Sequence, residues 1–307
     1  MREGPCDRYV PLEKEQVMPD REITSSRSRK QLLSALPVAE RRLELAGIST
    51  AVLEGGEGAP LVLLHGPGAN ALHWMRVIPA LARNHRVIAP DLPGHGATAA
   101  FTGELDVSLV LSWLDALIEL TSAARPVIAG QLLGGAIAAR FAAERPSRLS
   151  RLILIDTFGL SEFRPLAEFG AAISGFFSAP DASAHESLWQ FCAYDLDGLK
   201  RQLGERWQDF QEYNVECAGS AALRASMPAL MQLFACPLDP VRLRGIAVPT
   251  TLVWGRHDLA TPLAVAEGAS QRYGWPLRVI ENANDDPPFE QPDALVSVLR
   301  DELSRPS

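Results

Sequence analysis

The sequence predicts an α/β protein with a mostly parallel, eight-stranded sheet, helices on both faces and a helical insertion acting as a cap. Three observations carry this. Short aliphatic and β-branched runs alternate with stretches of helical spacing, the pattern of strands buried between two helical layers. The alternation stops at about Phe158 and resumes only after Val241. In the middle of the first block, Val127 to Gly135 reads as a strand entering a helix through a glycine-framed turn.

Taken in order, Leu43 to Leu45 and Ile48 to Leu53 predict two opening strands, antiparallel about Gly47. Leu61 to Leu64 is a buried strand ending in His65-Gly66-Pro67-Gly68. Ala71 to Ala82 has helical spacing, with Leu72, Met75, Ile78 and Leu81 on one face. Arg86 to Ala89 is a strand closed by Pro90-Asp91-Leu92-Pro93-Gly94-His95-Gly96, and a helix follows from about Leu105 to Leu120. Leu152 to Asp156, Thr250 to Trp254 and Leu277 to Ile280 complete the strands, and residues 289 to 303 form the closing helix. The domain division is then a flexible tail over 1–41, a core over 42–157 and 242–307, and a helical cap over 158–241.

The tail carries four prolines, possesses no stable period and includes the basic cluster Arg27-Ser28-Arg29-Lys30, which reads as solvated. Some helical content around Gln31 to Leu36 is compatible with it. The N-terminus is charged and lacks the apolar stretch of a signal peptide, and no run of 18 apolar residues suggests a membrane span. The net charge of −8, with the only basic excess in the first 42 residues, argues against nucleic acid and anionic membranes as partners. Four widely spaced cysteines without a CxxC pair point to free thiols and a cytoplasmic location.

The turn at Gly130-Gln131-Leu132-Leu133-Gly134 has the glycine frame of a Gly-x-Ser-x-Gly nucleophile elbow, with Leu132 where the serine belongs. An aliphatic side chain has no lone pair with which to attack a carbonyl. On His65-Gly66, Asp91 to Gly96, this glycine frame and Trp254-Gly255-x-x-Asp258 with Pro262, the sequence resembles the capped α/β-hydrolases over about residues 42 to 305. These include esterases, meta-cleavage-product hydrolases, epoxide hydrolases and haloalkane dehalogenases.

The resemblance implies a triad in the chain order Ser, Asp/Glu, His. Asp258 stands at the acid position. The histidine should precede the segment Asp286-Pro287-Pro288-Phe289-Glu290-Gln291-Pro292, and that position is Asp285. No histidine follows His257. Of the two oxyanion donors implied, the N–H of Leu133 is intact, whereas the residue after His65-Gly66 is Pro67, which has none; Gly68 could substitute. Loss of the serine alone removes a factor of order 10⁶ in turnover from such enzymes.

Asp258 and Asp285, placed where acid and base would touch, form a candidate carboxyl pair sharing a proton. Gly66, Pro67, Gly68, Gln131, Leu132 and Leu133 are the candidate binding residues. His65, His95 and His257 read as structural, Asp156 as a displaced acid at most, and Cys192 and Cys217 as thiols without a visible base. The aromatic residues gathered in the cap, among them Phe163, Phe169, Phe176, Phe177 and Trp189, are mostly its core but also shape an apolar pocket. Leu132 is expected either to relax the elbow or to fill the pocket floor. No metal or cofactor is implied. Three functions follow: binding of a small apolar molecule without hydrolysis, nucleophile-independent chemistry (lyase, cyclase, isomerase or decarboxylase) on Asp258 and Asp285, or an interaction protein with a vestigial pocket.

Overall fold

Aliphatic runs too apolar to face water set the sheet. A computed structural model describes residues 26–101, 103–122 and 124–305. Its eight strands are β1 (Ala39–Leu45), β2 (Ile48–Gly55), β3 (Ala59–Leu64), β4 (His85–Pro90), β5 (Val127–Gln131), β6 (Arg151–Ile155), β7 (Thr250–Gly255) and β8 (Leu277–Ile280). They lie in the order β1-β2-β4-β3-β5-β6-β7-β8. β1 and β2 pair antiparallel, as do β2 and β4, and every later pairing is parallel. Ala46 and Gly47, both at positive φ, close the first hairpin, the geometry a two-residue turn demands. The edge strand β1 exposes Glu40, Arg41 and Arg42, charges that discourage pairing with another chain.

Alternation along the strands divides the core. Val52, Val62 and Leu64 pack on one face beneath α3 (Val107–Thr121) and α4 (Leu132–Glu144). Leu53, Leu61 and Leu63 pack on the other with α2 (Ile78–Leu81) and α13 (Pro292–Leu303). The single helix expected over Ala71 to Ala82 is instead a 3₁₀ turn (Ala71–Trp74) followed by α2. Asn70 caps the turn by accepting from Leu72 N at 3.0 Å, and Pro79 restarts the helix because it has no N–H to continue one. Pro292 similarly separates α12 (Pro287–Glu290) from α13.

The solvated tail expected over 1–41 is corrected where the chain is described; residues 1–25 lie outside the described residues. Arg27–Ser34 forms helix α1, capped by Ser26, and β1 begins at Ala39. Arg29 from the basic cluster is buried. It donates to Glu40 Oε2 at 2.6 Å and to the Tyr213 hydroxyl at 2.5 Å, with Asp91 Oδ2 at 3.5 Å. A guanidinium ringed by two carboxylates and a phenol keeps its charge paired when desolvated, which pins α1 to the domain. The cluster's pattern gave no hint of those distant partners.

Between β6 and β7 the chain forms six helices: α5 (Ala167–Ser178), α6 (Ala182–Cys192), α7 (Leu196–Leu203), α8 (Glu205–Ala218), α9 (Ala221–Phe234) and α10 (Pro240–Arg244). Their apolar faces interlock through rings such as Trp189, Trp207 and Phe210, whose centroids lie 5.2–5.8 Å apart. Among the described residues, no helix is long and apolar enough to cross a membrane.

Candidate ligand site beneath the cap

The site is built around the turn from β5 into α4. Leu132, the first residue of α4, has φ +44°, a left-handed conformation that costs a bulky residue of order 1–3 kcal/mol. The glycine frame holds it there. A Cβ on Gly130 would sit 2.4 Å from Gly134 O, one on Gly134 2.4 Å from Leu64 O, and one on Gly135 2.3 Å from Thr157 Oγ1. Gly134 N donates to His65 O at 3.1 Å and Phe158 N to Leu132 O at 3.2 Å, fastening the turn on both sides. The elbow has kept its strained frame rather than relaxing, and the Leu132 side chain lies in the cavity wall beside Gly66.

That cavity encloses about 140 Å³ between the core's loops and helices α5, α6, α8 and α9. Its walls are largely apolar, with Phe158, Phe169, Phe176, Phe177, Trp189 and Met227 prominent. Gly66, Pro67, Gly68, Gln131 and Leu132 line it. Leu133 does not: its side chain is wholly buried in the core. Asp285 lines the cavity, together with Asp286, but Asp258 lies behind the wall.

Asp258 has little bonding capacity left. Its Oδ1 accepts from Ala260 N at 2.7 Å and Thr261 N at 2.9 Å, and its Oδ2 accepts from the Thr261 hydroxyl. Burial pushes its pKa up to about 6 against the opposing pull of the Thr261 and Ala260 bonds. Asp156, at φ +44°, accepts from Gly255 N at 2.8 Å and is held well above the carboxylate range by burial and by Asp258.

Asp285 is buried, no donor reaches its Oδ1, and its pKa is raised by burial first and then by Asp258, Asp286 and Glu290. Burial and Glu290 raise Asp286 as well. Glu290, pushed up to about 7 by burial, accepts from Asn284 N at 2.7 Å and Tyr194 N at 2.5 Å. The expected pair of carboxyls is therefore five, and the members that meet the cavity are Asp285 and Asp286.

Gln131 ties this group to the elbow. Its Nε2 donates to Asp285 O at 2.7 Å and to Asp286 Oδ1 at 3.2 Å, while its Oε1 is buried without a donor.

The imidazoles at or near the cavity are neutral and otherwise engaged. His65 Nε2 accepts from Leu92 N at 2.9 Å, so Nδ1 carries the proton toward Gly66 O at 2.8 Å. His65 lies behind the wall, whereas two histidines to which the sequence assigned no role, His73 and His185, line the cavity. Burial pushes both down to about 3, with His185 adding to the effect on His73 and Lys200 to that on His185. Asn70 N donates to His73 Nδ1 at 3.3 Å, and Asn214 Nδ2 lies 3.2 Å from His185 Nε2. His73 sat in the helix predicted over Ala71 to Ala82 and His185 in the cap, where no motif marks a ligand-facing position. Cys192 reaches the cavity beside the carboxyls instead of an imidazole, and burial and Asp285 push its thiol well above its ordinary value. A thiolate is disfavoured there. Among the described residues, no group of three or more His, Cys, Asp or Glu could hold a metal ion.

The fold matches that of known proteins. A model of the alpha/beta hydrolase family matches residues 61–298. The chain belongs to the alpha/beta hydrolase family. It is 31% identical over 238 residues to 2-hydroxymuconate semialdehyde hydrolase of Pseudomonas sp. strain CF600, covering 74% of this chain and 80% of that one. It is also 33% identical over 219 residues to the dihydrolipoyllysine-residue acetyltransferase component of the acetoin cleaving system of Pseudomonas putida. That match takes in 69% of this chain and 55% of the relative, so the chain spans about half of that protein's length. In three dimensions it is similar to 2-hydroxy-6-oxo-6-phenylhexa-2,4-dienoate hydrolase of Rhodococcus sp. strain RHA1, with TM-score 0.77, 22% identity and coverage of 87% and 99%. It is likewise similar to a carboxylesterase of Bacillus subtilis, with TM-score 0.78, 19% identity and coverage of 93% and 98%. These structural likenesses establish the shared hydrolase fold.

Proposed function

We propose that this member of the alpha/beta hydrolase family binds a small, largely apolar molecule beneath its cap and does not hydrolyse it. The observation that carries the reading is Leu132, an aliphatic side chain held at the strained elbow where hydrolysis needs an attacking atom. Asp285 adds to it, because burial and the neighbouring carboxyls keep it protonated, so it is not free to take a proton from a nucleophile as a neutral imidazole does. Relatives that match the chain are named as hydrolases, yet such activity depends on the side chains at these two positions rather than on the fold.

The test is a panel of p-nitrophenyl esters beside a thermal-shift screen of small metabolites. Ligand-induced rises in melting temperature without ester turnover support binding. Turnover well above background overturns it.

One observation favours a second reading. Asp285 lines the cavity with its carboxyl held well above the usual range by burial and then by Asp258, Asp286 and Glu290, and could serve as a general acid in nucleophile-independent chemistry such as isomerisation or decarboxylation. Asp258 would then tune Asp285 by its charge and not exchange protons with a ligand, since its oxygens are engaged by Ala260 and Thr261.

A further inference from the structure

Leu132 does more than withhold a nucleophile; it takes up room. Its side chain lies in the cavity wall and packs closely on Gly66, where a Cβ would stand 3.2 Å from Leu132 Cδ1. It shares one apolar cluster with Phe158, Phe169, Phe176, Phe177 and Met227, all of which also line the cavity. The glycine frame that holds the backbone at φ +44° therefore fixes where this side chain stands as well. The residue at the elbow occupies space that a smaller one would leave to a ligand.

The polar groups of the lining bring no charge to that space. Among the described residues, no arginine or lysine lines the cavity. Burial pushes His73 and His185 down to about 3, so both imidazoles are neutral near pH 6. Burial first, and then the neighbouring carboxyls, push Asp285 and Asp286 well up and keep them protonated. Asp285 Oδ1 and Gln131 Oε1, which no donor reaches, are closed off from the cavity as well as from solvent, so neither holds out a partner to a ligand. Asn214 is engaged by Asn70 at 3.1 Å and lies 3.2 Å from His185 Nε2. An ion entering from water would lose its hydration and meet no counter-charge, a cost that burial of a ring does not offset.

Size completes the description. A dry, apolar cavity of about 150 Å³ holds a benzene molecule, and this one encloses about 140 Å³ with aromatic side chains in its walls. Resting on the reading of the cavity as a non-hydrolytic ligand site, we propose that its ligand is an uncharged molecule with a single apolar ring, and that the Leu132 side chain sets its upper size. The ring packs among the phenylalanines of the wall. A substituent longer than a methyl group runs into Leu132.

The experiment uses the purified full chain and four probes, toluene, isobutylbenzene, benzylamine and benzoate, titrated by calorimetry at pH 6. Isobutylbenzene carries three carbons more than toluene, the number that Leu132→Ala removes. Toluene is expected to bind the unaltered chain about ten- to hundredfold tighter than isobutylbenzene, the range that burial of a few apolar carbons supplies. In Leu132→Ala the order should reverse, because the longer probe fills the space that the substitution opens. Leu132→Gly, which has no side chain to strain at a positive φ, should reverse it too and serves if the alanine variant does not fold. Benzylamine and benzoate, both charged at this pH, should bind about a hundredfold more weakly than toluene or not at all. Either charged probe matching toluene overturns the inference, as does isobutylbenzene matching toluene in the unaltered chain. An order that stays the same in the Leu132 variants overturns it too; in all three cases the cavity remains a ligand site. Binding by none of the four probes also contradicts it. The non-hydrolytic reading beneath it stands or falls separately, on ester turnover measured with the same preparation.

Discussion

Gln131 donates to the main-chain carbonyl of Asp285 across 2.7 Å, so the residue before the β5–α4 turn clamps the loop that carries Asp285 and Asp286. The same amide reaches Asp286 Oδ1, and the contact joins elements 154 residues apart in the chain. Gln131→Ala should leave two buried acceptors without donors and destabilise the fold by about 2–4 kcal/mol, read from denaturant midpoints. Gln131→Glu should be worse at pH 8 than at pH 5, because it adds a carboxylate to a group already repelling itself.

The left-handed backbone at Leu132 inverts an ordinary substitution order. In a helix Gly is less stable than Ala by roughly 0.5–1 kcal/mol. At φ +44° the relation should reverse, with Leu132→Gly about 1 kcal/mol more stable than Leu132→Ala. Chemical unfolding of the two variants decides it, and the usual order would mean that the elbow has relaxed in solution.

The sheet was legible because its chemistry is local. Leu61 to Leu64, Leu152 to Ile155 and Thr250 to Trp254 are too apolar for anything but buried strands, and each is one. The glycines of the elbow were equally readable, since each excludes a Cβ that would strike neighbouring atoms. What escaped depends on distant partners. Arg29 is buried by Tyr213 and Asp91, and nothing in its own neighbourhood foretells either. Asp258 and Asp285 were expected to touch and share a proton; Asp258 raises Asp285 through its charge, while the loop bonds that occupy Asp258 follow from the geometry of Ala260 and Thr261. Asp286 and Glu290 stood within a recognised segment and were read as its frame, although they belong to the carboxyl group.

The carboxyl group should make stability fall as pH rises. A carboxyl whose folded pKa is raised binds its proton more tightly folded than unfolded, so its contribution is intact below the unfolded value and lost as pH climbs through the folded one. Asp258 at about 6 and Glu290 at about 7 place that loss between roughly pH 4 and 7, with Asp285 and Asp286 contributing in the same direction. The buried histidines oppose it: His65, His73, His95 and His185, pushed down to about 3, stabilise above their unfolded value near 6.5 and cost stability as pH falls toward 3. Asp285→Asn isolates one member. Its melting temperature should exceed that of the unaltered chain at pH 8, by about 2–4 °C per kcal/mol recovered, and the gap should close near pH 4.

Burial of Arg29 against Glu40, Asp91 and Tyr213 should make Arg29→Met costly. Removing one partner of a buried charged network typically costs about 3–5 kcal/mol, and circular dichroism melts of the variant should show a loss of that order. A change below 1 kcal/mol would mean that α1 does not hold its place in solution.

Because the elbow frame persists, Leu132→Ser combined with Asp285→His should acquire weak esterase activity, and either change alone should not. The gain should stay small, since Pro67 offers no N–H to a developing oxyanion. A folded double variant that remains inert would show that the geometry around the turn no longer supports attack.

The claim on which the functional reading depends is that no side chain under the cap is an activated nucleophile. Incubation with a fluorophosphonate probe, followed by intact-mass and peptide-level spectrometry, addresses it most directly. The expected result is an unshifted mass under conditions that label a serine esterase completely. A stoichiometric adduct on any residue lining the cavity, Cys192 included, would contradict it.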